Sequence, residues 1–168
     1  MKTIHLLRHA KSSWSETEAA DHERRLARRG QRDARWLAKH LAPLGIAPAL
    51  VLCSSAKRTR ETLDLVARAL PANTEIVVED GLYAASAEAL LQRLQRLPDV
   101  IPSVLLIGHN PGLQELAVML AGRHPGTDAV RERFPTCALV SLQIPATSWG
   151  DLAPGCAQVT GFVTPQKR

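Results

Sequence analysis

An arginine and a histidine directly follow the first apolar run of the chain, as Arg8 and His9. A short apolar run bounded by polar residues predicts a buried strand of a parallel sheet, here over about residues 3–8. Ligands of such sheets bind just beyond the carboxyl ends of the strands, so both side chains are expected at a cleft. Arginine offers a planar fork of donors suited to phosphate, and neutral histidine is a nucleophile near pH 7. We predict that His9 attacks a phosphoryl group held by Arg8.

Two other predicted strands end in residues of the same chemistry. The strand at about 49–53 is followed by Arg58 at the head of a helix, and the strand at 103–108 is followed by His109. Helix amino termini favour anions through free N–H groups and the helix dipole. Three separate segments therefore bring two arginines and two histidines to one edge of the predicted sheet.

Strands and helices alternate along the predicted chain. Helices are predicted over about 28–41, 57–70, 86–97 and 113–121, and strands over 3–8, 49–53, 75–78, 103–108, 137–142 and 158–163. Ser55 is the expected cap of the second helix. The last two strands are expected to form a hairpin or a sheet edge. This alternation predicts a single α/β domain over residues 1–168.

Composition narrows the range of partners. The chain has 168 residues, 45% of them apolar, and suits one domain with a full core. It has no apolar run that could cross a bilayer and no signal-peptide pattern, so we expect a cytoplasmic protein without a membrane partner. The net charge of +5 favours anionic partners, and the aromatic fraction of 4% argues against nucleic acid. Cys53, Cys137 and Cys156 lack metal-ligand spacing and are expected to be reduced structural thiols.

Several motifs resemble those of the histidine phosphatase superfamily, which includes the phosphoglycerate mutases. They are LLRHAKS at 6–12, SSAKRTRET at 54–62 and GHNPG at 108–112. DHERRL at 21–26 with RG at 29–30, and LYAA at 82–85, are similar to segments of its small bacterial branch, the SixA-type phosphohistidine phosphatases. The resemblance runs from residue 1 to about 122. It implies a phosphoglycerate mutase-like fold, a three-layer sandwich with a mostly parallel central sheet flanked by helices.

The resemblance also implies a role for each matching residue. His9 falls at the position of the transiently phosphorylated nucleophile, and Arg8, Arg58 and His109 fall where the phosphoryl oxygens are bound. Lys11 and Ser15 follow the nucleophile and are expected to contact substrate. Phosphoryl transfer needs in-line geometry and stabilised oxygens, which two guanidinium groups and an imidazole can supply. No metal or cofactor is expected, and phosphate or sulfate is expected to fit the site.

One departure from the family pattern bears on the substrate. The phosphomonoesterases and mutases carry a glutamate general acid where this chain has Ala84; Glu79 and Asp80 lie nearby but do not match that position. An alkoxide leaving group needs protonation, whereas the imidazole of phosphohistidine needs it less. We therefore predict a phosphatase of protein phosphohistidine, for example on a histidine phosphotransfer domain. The alternatives are a phosphatase of a small phosphate monoester and a non-catalytic phosphoprotein-binding module.

Overall fold

The computed structural model describes residues 1–14 and 20–165. Within these ranges, six strands form one sheet: β1 (Lys2–Arg8), β2 (Leu50–Ser54), β3 (Glu75–Glu79), β4 (Ser103–Gly108), β5 (Leu139–Ile144) and β6 (Gln158–Val163). The α-helices are α1 (Arg28–Leu41), α2 (Lys57–Val66), α3 (Ala87–Gln95), α4 (Gly112–Ala121) and α5 (Pro125–Glu132). None of the helices in these ranges is long and apolar enough to cross a membrane.

The order of the strands brings the ends of β1, β2 and β4 together. The sheet order is β3-β2-β4-β1-β5-β6, so β4 lies between β1 and β2. β1 to β4 are parallel, β5 is antiparallel to β1, and β6 is antiparallel to β5. The prediction of a mostly parallel sheet with an antiparallel pair at one edge is confirmed. Three neighbouring carboxyl ends at a point where the strand order reverses form a crevice suited to a ligand.

Helices cover both faces of the sheet. Because side chains alternate along a strand, Leu6 of β1 packs in one core with Leu90 and Leu113 from α3 and α4. Its neighbour Leu7 packs in a second core with Leu37 of α1, on the opposite face. This arrangement confirms the predicted three-layer α/β sandwich.

Several predicted bounds differ from the structure by one or more residues; α3, for example, covers Ala87–Gln95 rather than 86–97, and one helix was not predicted. Helix α5 was missed, because its short segment offers few apolar positions from which to recognise a helical period. α2 ends at Val66, and a 3₁₀ turn over Ala67–Ala69 replaces the last predicted turn. β5 begins two residues later than predicted because Cys137 has a φ of +63° and its N–H contacts the carbonyls of Arg8 and His9.

The predicted capping role of Ser55 is wrong. Ala56 is the cap residue of α2, and its N–H donates to the Ser54 hydroxyl over 3.3 Å. Ser55 instead places its hydroxyl 2.9 Å from His22 Nε2. The two adjacent serines thus contact different partners. Ser54 contacts the cap residue Ala56, and Ser55 contacts His22.

Two motif glycines allow backbone segments to meet closely. A Cβ on Gly30 would lie 2.1 Å from the Lys11 carbonyl oxygen, and one on Gly112 would lie 2.2 Å from the Ala85 carbonyl oxygen. No side chain can replace either hydrogen without moving a backbone. α1 therefore packs directly on the loop after His9, and α4 packs on the segment after β3.

Candidate active site

His9 is held at the end of β1 with a defined tautomer. It is 7% exposed, and its N–H donates to the Gly108 carbonyl over 3.1 Å. The Nδ1 atom lies 2.7 Å from the Ala10 carbonyl oxygen. A carbonyl only accepts, so Nδ1 carries the proton and Nε2 carries the lone pair. Burial, with smaller effects of His109, Arg58 and Arg8, lowers the pKa of His9 to about 3, so the ring is neutral at ordinary pH.

Arg58 is fixed between an acid and a histidine. It lies in the first turn of α2 and is 7% exposed. Its Nη1 donates to the Asp21 carbonyl over 2.7 Å, and its Nη2 lies 3.1 Å from Asp21 Oδ2. The same Nη2 lies 3.4 Å from His109 Nδ1. The planar guanidinium therefore has one orientation before any substrate arrives.

His109 follows β4, and its ring lies close to that of His9. The two ring centroids are 5.4 Å apart, with an interplanar angle of 53°. His109 Nε2 lies 2.7 Å from the hydroxyl of Ser54. Burial, followed by the charge of Arg58, lowers the pKa of His109 to about 4. His109 is therefore neutral in the free protein at pH 7.

Arg8 adds a second guanidinium to this edge of the sheet. Its Nη1 donates to the Phe134 carbonyl over 3.1 Å, and Asn110 Nδ2 donates to the same oxygen over 2.9 Å. Arg8 Nε is buried and has no hydrogen-bond partner among the residues that the structure describes. Burial and the charge of Arg58 lower the pKa of Arg8. Two close guanidinium groups, one with an unused buried donor, favour a bound anion.

Asp21 connects the arginine side of the site to Tyr83. Its carboxylate accepts from the Tyr83 hydroxyl and lies 3.1 Å from Arg24 Nη1. These hydrogen bonds, with the charge of Arg58, lower the pKa of Asp21 to about 2. The edge of the Tyr83 ring meets His109 at a centroid distance of 5.4 Å. Asp21 and Tyr83 therefore form one wall of the pocket.

His22 belongs to the same wall. Its ring meets Tyr83 edge-on at 4.9 Å, and its two nitrogens contact Ser55 and Glu23. The side chain is only 34% exposed, so it is half-buried beside the pocket.

The loop after His9 is held by the segment that precedes α1. Ser12 pairs with Leu26 in an antiparallel bridge, and the Ala27 N–H donates to the Lys11 carbonyl over 2.9 Å. Lys11 thus contributes its backbone to the loop, and contact of its side chain with substrate stays a prediction. Ser15 lies outside the described residues, so its predicted contact with substrate also stays a prediction.

The acids near Ala84 have different surroundings. Glu79 is paired with Arg93 of α3 through two contacts of 2.8 and 3.1 Å. Asp80 is exposed and opens a 3₁₀ turn. Ala84 is itself exposed, with a φ of +53°. Glu79 is therefore engaged in a structural ion pair.

The structure brings four of the predicted site residues to one edge of the sheet: Arg8, His9, Arg58 and His109. Sequence reasoning assigned no role to Ser54, Asp21 or Tyr83, although all three lie inside the motifs that carried the family resemblance. Their position inside these motifs was the sequence feature that could have marked them as site residues. Their contacts with Arg58 and His109 depend on the folded arrangement.

The chain belongs to the histidine phosphatase superfamily. The model of branch 1 of this superfamily matches residues 4–100. An uncharacterized protein of Mycobacterium tuberculosis is 37% identical over 95% of this chain and 100% of its own length. An uncharacterized chloroplastic protein of Arabidopsis thaliana is 33% identical over 95% of this chain and 76% of its own length. Family membership supports a phosphatase.

Solved structures with the SixA fold are similar to this chain along its whole length. A candidate phosphohistidine phosphatase SixA from Agrobacterium tumefaciens is 29% identical, covers 98% of both chains and has a TM-score of 0.84. The corresponding candidate from Nakamurella multipartitia is 25% identical, covers 98% of this chain and 96% of its own, and has a TM-score of 0.85. The phosphoglycerate mutase-like fold and the SixA-like character expected from the motifs are confirmed.

Proposed function

We propose that this chain is a phosphatase that hydrolyses phosphohistidine on proteins, through a phosphorylated His9 and without a metal ion. The observation that carries the proposal is the buried, neutral His9 with its Nδ1 proton bound to Ala10 and its Nε2 lone pair available. Arg58 beside it supplies donors for the phosphoryl oxygens, and His109 supplies another when its Nδ1 is protonated. We propose further that residues 1–168 form a single phosphatase domain.

The reaction is a double displacement. His9 Nε2 forms a bond to phosphorus while the bond from phosphorus to the substrate nitrogen breaks. The substrate ring carries a proton on its other nitrogen, so the electron pair of the broken bond leaves with a neutral imidazole. Arg8, Arg58 and His109 bind the equatorial oxygens, on which negative charge is spread in the transition state. Water then attacks phosphorus and releases neutral His9 and inorganic phosphate, which takes the proton of the water.

The leaving group explains the choice of substrate. The position of the family's glutamate acid holds Ala84, and Glu79 is engaged by Arg93. Loss of the acid at this position suits a leaving group that departs without one, such as the imidazole of phosphohistidine. The candidate SixA proteins of similar sequence support the same substrate class. A phosphorylated histidine phosphotransfer domain is the proposed partner.

The decisive experiment measures dephosphorylation of a phosphorylated histidine phosphotransfer domain by the parent protein and by His9→Ala. We expect the parent to remove the phosphoryl group and the variant to be inactive. Sugar phosphates and an aryl phosphate are assayed in parallel. Faster hydrolysis of sugar phosphates than of the phosphoprotein would favour a small-molecule phosphatase. Binding of the phosphoprotein without turnover would favour a binding module.

A further inference from the structure

We propose that Ser54 is a positioning residue that sets the tautomer of His109 and so directs its Nδ1 to the phosphoryl group. This inference rests on the proposed phosphatase function and deepens it. Ser54 is the last residue of β2 and is completely buried. Its hydroxyl lies 2.7 Å from His109 Nε2, the nitrogen that faces away from Arg58.

The backbone around Ser54 is itself fixed. Its carbonyl accepts from the Thr59 hydroxyl over 2.8 Å, and its own hydroxyl accepts from the Ala56 N–H over 3.3 Å. The serine oxygen is thus held at the junction of β2 and α2. A hydroxyl held by a strand end and a helix start can hold the His109 ring in one orientation.

The contacts on both sides of the ring define the proton position. The Arg58 guanidinium can only donate, so His109 Nδ1 accepts in the free protein. The proton of the neutral ring is then on Nε2 and is donated to Ser54. His109 therefore presents a basic Nδ1 to the phosphoryl pocket.

Burial first, and then the charge of Arg58, keeps His109 Nδ1 unprotonated until an anion arrives. Arg58 and Arg8 disfavour the imidazolium, Asp21 favours it, and His22 opposes it when protonated. His9 and Tyr83 pack against the ring. A monoanionic phosphoryl group reverses this balance: its hydroxyl proton passes to Nδ1, and the resulting dianion is bound by the imidazolium. Ser54 accepts from Nε2 throughout, so the ring need not turn.

A second buried serine provides a matched control. Ser141 Oγ lies 2.7 Å from His5 Nδ1, the same distance as in the Ser54 pair, and is also buried. His5 is four residues from His9 along a strand, about 13 Å away at the usual strand rise. Ser54→Ala and Ser141→Ala each remove the hydroxyl that contacts a buried histidine. Only Ser54→Ala removes the partner of a histidine in the candidate active site.

The test compares Ser54→Ala with Ser141→Ala by three measurements. They are the ¹⁵N shifts of the histidine nitrogens, the affinity for tungstate and kcat/KM for an aryl phosphate. For Ser54→Ala we expect His109 to lose its pure Nε2–H tautomer, tungstate affinity to fall about tenfold, and kcat/KM to fall about 10- to 100-fold. Ser141→Ala is expected to lower the melting temperature similarly and to change the ¹⁵N shifts of His5, but to leave the His109 shifts, the tungstate affinity and kcat/KM unchanged.

An Nδ1–H tautomer in the free parent protein would overturn the proposal, even if Ser54→Ala did not fold. So would a Ser54→Ala protein whose His109 tautomer and tungstate affinity match those of the parent. If the parent hydrolyses no phosphorylated compound, the proposed function fails instead. The tautomer and tungstate measurements then still decide the role of Ser54.

Discussion

Asp21 holds Arg58 at two points, one from its backbone and one from its side chain. The carbonyl oxygen lies 2.7 Å from Arg58 Nη1, and Oδ2 lies 3.1 Å from Nη2. A substrate phosphoryl group would meet a guanidinium that is already oriented, so little rotamer freedom is lost on binding. Asp21 also places a negative charge beside the site that we assign to the anionic phosphoryl group.

Asp21→Asn is expected to lower kcat/KM about tenfold while Arg58 stays in place through the carbonyl contact. The amide keeps the shape of the carboxylate but removes a charge-assisted hydrogen bond. The measurement is steady-state hydrolysis of an aryl phosphate. Glu23→Gln is the control, since Glu23 is exposed and contacts His22 rather than Arg58. Equal losses in the two variants would mean that Asp21 acts only through the net charge of the segment.

Arg58→Lys is expected to be nearly as inactive as Arg58→Ala, with kcat/KM reduced about 10²–10³-fold in both. A lysine is a point charge and cannot reproduce contacts from two Nη atoms to Asp21 and His109. Thermal melts should show that folding is affected far less than turnover. Arg35→Ala, an exposed arginine of α1, should match the parent in both measurements. A lysine variant as active as the parent would refute the phosphate clamp.

The rate of hydrolysis is expected to depend steeply on the leaving group. Phosphoramidates and aryl phosphates should be cleaved about 10²–10⁴-fold faster than alkyl phosphates, the usual contribution of a general acid. The measurement is the slope of log kcat/KM against leaving-group pKa. Ala84→Glu should flatten the slope only if the new carboxyl faces the leaving group. A flat slope in the parent would point to Asp80, since Glu79 is paired with Arg93.

The free energy of unfolding is expected to fall as the pH falls below about 6.5. Burial lowers the pKa of His5 and His109 to about 4 and of His9 to about 3, whereas the same groups titrate near 6.5 in the unfolded chain. Between these values the unfolded chain binds more protons, so each histidine contributes a loss of about 1.4 kcal/mol per pH unit. None contributes above that range.

Urea unfolding from pH 8 to pH 4.5 measures this slope. His5→Asn should reduce it by about one third, because it removes one of the three buried histidines. Tungstate should oppose acid unfolding, since an anion between two arginines favours protonation of His109 in the folded state. A stability that is constant down to pH 5 would contradict the burial of neutral histidines.

Gly30→Ala is expected to destabilise the protein by about 1–3 kcal/mol and to reduce kcat/KM. The new methyl group would lie 2.1 Å from the Lys11 carbonyl, so the loop after His9 must move. Gly81→Ala is the matched control, because a Cβ there meets no atom within 4 Å. Chemical denaturation and kinetics should distinguish the two. A Gly30→Ala variant with parental activity would show that the loop tolerates displacement.

The elements that depend on local pattern were predicted most accurately. β4 and β6 have the bounds that their apolar runs indicated, as does α1 with its buried Leu37 and Leu41. The free Cys53 and Cys137 are buried, and burial raises the pKa of each to about 12, as expected of structural thiols. These elements were predictable because residue type and spacing indicate which positions are buried.

The errors arose where tertiary contacts decide. Ser55 has the residue type of a helix cap, but its hydroxyl contacts His22 from a distant segment. Ser54 and Asp21 contact His109 and Arg58 across 55 and 37 residues of chain. The Ser54–His109 pair forms only when strands β2 and β4 lie side by side, and the Asp21–Arg58 pair forms only when the 3₁₀ turn Asp21–Glu23 packs against α2. No local rule applied to either segment could identify them.

The central position of β4 also has a consequence for the order in which the chain folds. β1 and β2 are not neighbours, and the sheet becomes continuous only when Ser103–Gly108 inserts between them. A nascent chain that has emerged only as far as β3 has no strand linking β1 to β2, so its apolar strands must await the next segment. We therefore expect His9, Arg58 and His109 to come together only after β4 has inserted, and a chain truncated before Ser103 should lack the assembled site.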